Sequence, residues 1–296
     1  MRTKSALVIG MDGTIGAGVL RLFRAKGIRT YGTTRRPLTS PTDVFLEMSN
    51  RDLTTAHLPQ TDVAIICTAA NGFAYCRSNP GLATQINADA PRVLARELSL
   101  RGTRVVYLSS SAVFDFGRPN IGAEDLLCPL TVYGRSKAAG EESVLAVGQT
   151  ATIVRLTKVL TPEMTLIRRW IGALRSGKRV LAFSDLHFCP ISLEYIARAL
   201  WEITEAALPG IFQVSGADDI TYFDAAKHIA MRLGLDSSRV IEDLAAARGI
   251  PREEIPTFTS LDTSRYTALT GEVPPQPFEV LDAVYGPAIA NVFAAQ

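Results

Sequence analysis

Charge of one sign is nearly absent in excess: 31 Lys and Arg stand against 29 Asp and Glu, a formal net charge of +2 over 296 residues. So small an imbalance, with no basic stripe along the chain, argues against nucleic acid as a partner. Cysteine is scarce, and Cys67, Cys76, Cys128 and Cys189 are scattered without C-x-x-C spacing. That pattern speaks against a disulfide framework or a zinc site, and no metal is expected. No apolar run reaches about 18 residues, so no membrane span is expected. The first strand-like run begins almost at once and leaves no room for a signal peptide, which makes a reducing, cytoplasmic location the expectation. Histidine is also rare, and His57 and His228 read as surface residues. No internal repeat, low-complexity segment or linker breaks the chain.

What is present begins with Ala6-Leu7-Val8-Ile9, a wholly apolar run of the kind found in a central parallel strand covered on both faces. It leads into Gly10-Met11-Asp12-Gly13-Thr14-Ile15-Gly16, after which Ala17 to Lys26 reads as a helix with apolar Val19, Leu20 and Phe23. Glycines three apart at a strand-to-helix turn let backbone approach a pyrophosphate, and the helix start supplies N–H groups and a positive dipole end. The spacing is G-x-x-G-x-x-G, not the G-x-G-x-x-G of many dehydrogenases. A glycine-rich turn with no ligand is the plainer alternative. The second strand, Ile28 to Thr33, ends at Thr34-Arg35-Arg36. It carries no carboxylate for the ribose 2′-hydroxyl of NAD, while two arginines suit the 2′-phosphate of NADP. A solvated basic turn is the alternative there.

Tyr133-Gly134-Arg135-Ser136-Lys137 follows a strand-like run ending in Ser109, Ser110 and Ser111. A Tyr and a Lys four residues apart share one helix face. An ammonium beside a phenol favours the phenolate, so a lowered tyrosine pKa is expected, with a proton exchanged at a sugar or alcohol oxygen. Alone, this spacing is weak. It gains weight from the glycine turn that precedes it.

With these pieces the chain resembles an extended short-chain dehydrogenase/reductase of the NAD-dependent epimerase/dehydratase type, and is most similar to the dTDP-4-dehydrorhamnose reductase branch. The matching stretches run through nearly the whole chain. They include the glycine turn, Asp62 to Ala70, Ile86-Asn87-Ala88, Val105 to Asp115, Tyr133 to Lys137 and Arg155-Leu156-Thr157. Later come Pro190-Ile191-Ser192, Gly210 to Gly216 and Leu261 to Arg265.

The alternation of strands and helices to about residue 160 is that of a doubly wound α/β Rossmann sheet. Val63 to Thr68, Arg104 to Leu108 and Ala151 to Leu156 read as strands; Pro80 to Leu100 and Thr131 to Val147 read as helices. Residues 1–160 are thus expected to bind NADP, with NAD as the alternative. Residues 161–296 are expected to form a smaller, mostly helical substrate-binding portion, with helices at Leu166 to Arg175, Leu193 to Ala206 and Tyr222 to Leu233. A strand near 210–215 is expected to return to the main sheet.

In the site the resemblance implies, Ser110, Tyr133 and Lys137 are catalytic, with Ser109 and Ser111 as fallbacks for the serine. Thr68, Ala69 and Ala70 end a strand with small residues over which a cofactor can lie. Asn87 matches an asparagine near the nicotinamide, or else holds backbone in mid-helix. Lys137 would hold the nicotinamide ribose. The implied chemistry is hydride transfer between nicotinamide and a ketone carbon, with Tyr133 passing the proton. The residues after Ser110 are Ser111 and Ala112, neither an acid nor a base, which argues against dehydration. The branch usually carries Asp at the position of Ser111 and an aromatic at that of Lys158. Both departures separate this chain from that reductase itself. Asn71, Ser111, Lys158, Arg169 and His187 are candidate substrate contacts. For Arg168 and Arg169, a helix with exposed arginines and a buried Trp170 is the plainer reading.

The leading expectation is reduction of a keto group on a nucleotide-linked sugar. Epimerisation through a transient ketone is the alternative, and a non-catalytic, nucleotide-binding regulatory subunit is a third. A homodimer is possible, since many relatives pair through helices beside the catalytic one.

Overall fold

The computed structural model describes residues 3–290. Its first half alternates strand and helix: β1 (Ser5–Ile9), α1 (Thr14–Ala25), β2 (Arg29–Thr34), β3 (Asp43–Phe45), β4 (Val63–Ile66), α2 (Phe73–Ser78), α3 (Pro80–Thr84), α4 (Ala90–Leu100), β5 (Arg104–Ser110), α5 (Val132–Leu145) and β6 (Ala151–Leu156). There follow β7 (Lys158–Leu160), α6 (Thr165–Arg175), β8 (Val180–Phe183), β9 (His187–Phe188), β10 (Pro190–Ser192), α7 (Leu193–Ala206) and β11 (Gly210–Val214). The chain continues through β12 (Ile220–Thr221), α8 (Tyr222–Arg232), β13 (Val240–Asp243), α9 (Ser264–Thr270) and α10 (Pro277–Ala290).

Seven strands form one parallel sheet in the order β11-β6-β5-β4-β1-β2-β3. Strand order reverses between β1 and β4, and an open α/β sheet opens a crevice beyond the carboxyl ends of its strands at that place. The Rossmann expectation is met. The expected return of 210–215 is also observed: β11 pairs with β6, from Gly210 opposite Thr152 to Val214 opposite Leu156.

Each face of the sheet is covered, which is why its strands read as continuous apolar runs. Ala6 and Val8 of β1 point into a core built with Val19 and Phe23 of α1 and Ile196, Leu200 and Ile203 of α7. Their neighbours Leu7 and Ile9 point the other way, to Leu94 and Leu98 of α4 and Val144 of α5. Each such fully buried side chain contributes about 1.5–3 kcal/mol. A second core lies in the C-terminal portion, where Ile167, Trp170 and Ile171 of α6 meet Ile229 of α8 and Leu281 of α10. That portion is less purely helical than its sequence implies. Three two-stranded ladders, β7 with β10, β9 with β12 and β8 with β13, brace its helices. Their strands are two to four residues long, too short to show a period of two in sequence.

The expected helix over 80–100 is continuous but contains one wide turn. Residues Gln85–Asp89 are π-helical between α3 and α4. Pro91, which would be the helical donor to the Asn87 carbonyl, has no N–H. Here the Asn87 carbonyl accepts a 2.6 Å hydrogen bond from the Tyr107 hydroxyl of β5. Gly140 of α5 sits against both groups, and a methyl there would overlap the Asn87 carbonyl oxygen and the Tyr107 hydroxyl. The absent side chain lets α5 press onto the π turn and the sheet.

Gly140→Ala should therefore destabilise the fold. Overpacking of this kind costs about 1–3 kcal/mol, which outweighs the roughly 0.5–1 kcal/mol a helical Gly→Ala otherwise gains. A lower urea midpoint with an unchanged slope checks this, and equal or greater stability would refute it.

Candidate active site

A cleft of about 1400 Å³ opens at the carboxyl ends of the parallel strands and is closed on the far side by segments of the C-terminal portion. The glycine turn lies at one end. Gly10 has φ 93°, and its carbonyl accepts from the Gly13 N–H at 3.1 Å. Gly16 packs so tightly against the Gly10 carbonyl that no side chain fits between them. The α1 helix starts without a side-chain cap, and Gly13, Thr14 and Ile15 line the cleft. Unpaired first-turn N–H groups and a positive helix end make this stretch receptive to a phosphate.

Arg35 and Arg36 leave the end of β2 with side chains 71% and 76% exposed. Arg35 lies 3.6 Å from Glu47, and the Arg36 side chain lies 3.9 Å from Asp12. Asp12 also accepts a 2.5 Å bond from the Thr34 hydroxyl. Both arginines thus face the cleft with exposed, loosely paired guanidinium groups, which add little stability where they stand.

Thr68, Ala69, Ala70 and Asn71 follow β4 and form the floor. Asn87 is fully buried behind them. Its Oδ1 accepts from the Ala70 N–H, and its Nδ2 donates to the Ala70 carbonyl and to Ser136 Oγ, all at 2.9 Å. Of the two roles open to it in sequence, the geometry gives it the positioning of backbone: it ties the floor to α5 and does not line the cleft.

Ser110, Ser111 and Tyr133 meet at the centre. Ser109 is excluded, because its hydroxyl is buried in the interior without a partner. Ser110 ends β5, accepts from the Ala112 N–H at 3.2 Å and hydrogen-bonds the Tyr133 phenol. Thr131 caps α5 by accepting from the Gly134 N–H at 3.0 Å, which fixes the turn carrying Tyr133. The expected lowering of the tyrosine pKa is not seen. Burial pushes the Tyr133 phenol up to about 12, outweighing the Ser110 hydrogen bond. Lys137 does not counter this, because its own amine is 1% exposed, donates to the Leu108 carbonyl at 2.5 Å and lies 3.9 Å from the centre of the Tyr107 ring. Burial lowers the Lys137 pKa to about 7, with Glu141 acting in the opposite direction.

The substrate-side candidates divide. Lys158, on the first residue of β7, lines the cleft, and the surrounding protein lowers its pKa although the side chain still reaches solvent. A group on a concave wall is partly stripped of water without being covered. His187 also lines the cleft, and its ring Nδ1 is buried without a partner. Arg169 does not: it stands exposed on the outer face of α6, outside the cleft. Its neighbour Trp170 takes the inward face against Tyr222, so the plainer reading of that helix is the observed one. His228, expected on the surface, is mostly covered, bonded to Asp282 at 2.8 Å and stacked on Phe278.

Several lining residues have no counterpart among the sequence expectations. Phe73 packs against both Tyr133 and Phe116, with ring centres 6.1 and 6.3 Å apart. Phe116 is held at φ 62°, a strained conformation for a bulky side chain. Glu254, from a loop late in the chain, is buried beside the cleft and bridges to Arg77 of α2. Phe73 and Tyr75 carry a usable signal, being aromatics just after the small-residue end of β4. Nothing local marks Glu254. Among the described residues no group of three or more His, Cys, Asp or Glu is placed to hold a metal ion, and no helix is long and apolar enough to cross a membrane.

A family model described as the RmlD substrate binding domain matches residues 4–285. The dTDP-4-dehydrorhamnose reductase of Mycobacterium tuberculosis is 31% identical over 229 residues, 72% of each chain. A probable low-salt glycan biosynthesis reductase of Haloferax volcanii is 28% identical over 262 residues, covering 83% of this chain and 87% of that one. Among solved structures, a dTDP-4-dehydrorhamnose reductase of Bacillus anthracis in complex with NADP superposes with a TM-score of 0.80 at 20% identity, covering 97% and 99% of the two chains. That last likeness concerns the fold alone.

Cys67 lines the cleft, but burial pushes its thiol up to about 12, as it does for Cys189, and raises Cys76 as well. Only a thiolate alkylates readily. Iodoacetamide at pH 8 should therefore modify the exposed Cys128 first and leave the cleft-lining Cys67 largely intact, as peptide mass spectrometry of the native protein would read. Early labelling at Cys67 would contradict the geometry.

Proposed function

This chain belongs to the RmlD substrate binding domain family, and from that premise we propose that it is an NADP-dependent oxidoreductase reducing a keto group on a nucleotide-linked sugar. The observation that carries the reading is the meeting of Ser110 and Tyr133 at the centre of a cleft that has a glycine turn at one end and Lys158 and His187 lining it. The residues fit the cofactor. Gly10 and Gly13 line the cleft with the bare backbone a pyrophosphate needs, the α1 start is uncapped, and Arg35 and Arg36 offer two exposed cations where a 2′-phosphate would lie. NADPH, when bound, supplies the hydride.

The protein's own groups handle position and proton. The Ser110 hydroxyl holds the carbonyl oxygen of the substrate, and the Tyr133 phenol gives that oxygen its proton as the alkoxide forms. A phenol near pKa 12 stays protonated at neutral pH, which suits a donor in the reductive direction. Lys137, one helical turn away, would hold the nicotinamide ribose with its ammonium while that lysine is charged. Phe73 and Phe116 shield the phenol on one side and limit water at the reacting carbon. Lys158 and His187 supply donors to the polar remainder of the substrate. Ser111 and Ala112, which follow Ser110, are neither acid nor base, which supports reduction over dehydration.

Tyr133→Phe should lower reduction of a nucleotide-4-ketosugar by about 10²–10⁴-fold, the usual share of a positioned acid, while leaving NADPH binding intact. Unchanged turnover would overturn the role of Tyr133 as the acid, and no turnover even in the natural protein would favour a non-catalytic nucleotide-binding role. Replacing Arg35 and Arg36 together by Ala should weaken NADPH binding by about tenfold or more, since a charge-assisted hydrogen bond contributes about 1.5–3 kcal/mol. NADH binding should change much less. Fluorescence titration of both nucleotides distinguishes the outcomes, and equal losses would overturn the preference for NADP.

A further inference from the structure

Glu141 lies one turn beyond Lys137 on α5, two turns beyond Tyr133, so the three share a face. It is 1% exposed and is gripped by Arg155 of β6, itself 2% exposed, through Nε–Oε1 at 3.0 Å, Nε–Oε2 at 3.2 Å and Nη2–Oε2 at 2.8 Å. Arg155 also donates to the Ala123 carbonyl at 2.9 Å and lies 5.0 Å from the centre of the Phe114 ring. Gln213 of β11, 3.4 Å from Arg155, donates in turn to the carbonyls of Ile121 and Asp262. The Glu141 carboxylate is thus fixed by a polar hub joining α5, β6 and β11.

The other titratable groups around Lys137 are Tyr107 of β5, Cys67 beyond β4, and Tyr133 and Cys76 beside the cleft. All four are held neutral, because burial raises the pKa of each phenol and thiol. Among the described residues that act on the Lys137 amine, Glu141 is the one that carries charge.

We propose that Glu141, clamped by Arg155, is a positioning residue whose buried carboxylate keeps the Lys137 ammonium charged. The proposal rests on the reading of Lys137 given under the proposed function. A buried amine prefers to be neutral, and a fixed opposite charge one turn away opposes that preference. Removing the charge lowers the pH at which Lys137 discharges. Because the ammonium is present below its pKa and lost above it, reduction should fall as pH rises through about 7 in the natural protein, and at lower pH without the carboxylate.

The direct test is NMR titration of Lys137 in full-length protein labelled with ¹⁵N and ¹³C in its lysines, with the resonance assigned from Lys137→Arg. Glu141→Gln should move the midpoint down by about one unit or more, and Glu141→Asp should restore most of it. Since Glu141→Gln leaves Arg155 buried and unpaired, the double variant Glu141→Gln, Arg155→Gln removes both charges and should still move the midpoint down in a folded protein, by less than Glu141→Gln alone because loss of the guanidinium acts the other way. An unmoved midpoint in whichever of these variants folds overturns the proposal. The readout needs no substrate: a Lys137 midpoint that moves while Tyr133→Phe remains fully active would count against the proposed function and not against this coupling.

Discussion

The site depends on how closely α5 approaches the sheet. Gly140 lets the helix rest on the π turn at Asn87, and the Tyr107 hydroxyl closes the gap by bonding the Asn87 carbonyl. Each part requires the others. Pro91, four residues on, has no N–H to offer the Asn87 carbonyl, which leaves it to Tyr107; without glycine at 140 the helix would stand off by the width of a methyl. Because α5 carries Tyr133 and Lys137 four residues apart, that approach sets how deeply both are buried. Asn87 extends the arrangement through Ala70 to the cleft floor and through Ser136 to α5. One buried amide therefore ties the floor of the cleft to the helix that carries Tyr133.

Depth has electrostatic consequences that run in opposite directions for the two groups. Stripping water from a phenol disfavours its anion, and stripping it from an amine disfavours its cation, so burial widens the range over which both are neutral. Tyr133 near 12 is a stable proton donor, while Lys137 near 7 is poised between its two forms. An ammonium makes stronger hydrogen bonds than a neutral amine, so the charge on Lys137 decides how firmly it could grip a ligand. The buried Glu141–Arg155 pair matters for this reason. Desolvating two charges offsets much of their attraction, so the pair is weak as a source of net stability; its effect on the charge of Lys137 has a definite direction.

Much of the fold and of the site centre is legible in the sequence. The parallel sheet, the glycine turn, Ser110, Tyr133 and Lys137 are local patterns, set by strands of one residue class or by fixed spacing along one element, and an apolar run marks the strand returning at 210–214. The Tyr133 pKa is not legible, because spacing gives helix-face neighbours and not their depth: Lys137 turns its amine to the Leu108 carbonyl and Tyr107, and desolvation wins. The π turn is hidden because its residues keep a helical apolar spacing. Phe116 adopts a left-handed conformation that its residue type gives no reason to expect, so no local signal places it.

The far wall of the cleft follows a different logic from the floor. Floor residues come from strand ends and are placed by the sheet, whereas the far wall is assembled from Lys158, His187 and Glu254, brought together from three short segments spanning nearly a hundred residues. Its order comes from short ladders and single contacts, such as the antiparallel pairing of His187 with Thr221 and the bridge from Glu254 to Arg77. That bridge joins α2, which carries Phe73 and Tyr75, to the opposite wall, so the aromatic side of the site and its substrate side are held by one ion pair. Interactions this few can be exchanged without disturbing the sheet. On the proposed reading, such a fold can keep one chemistry at Tyr133 while the opposite wall changes, and Ser111 and Lys158, where this chain departs from the reductases it resembles, line the cleft outside the Ser110, Tyr133 and Lys137 set.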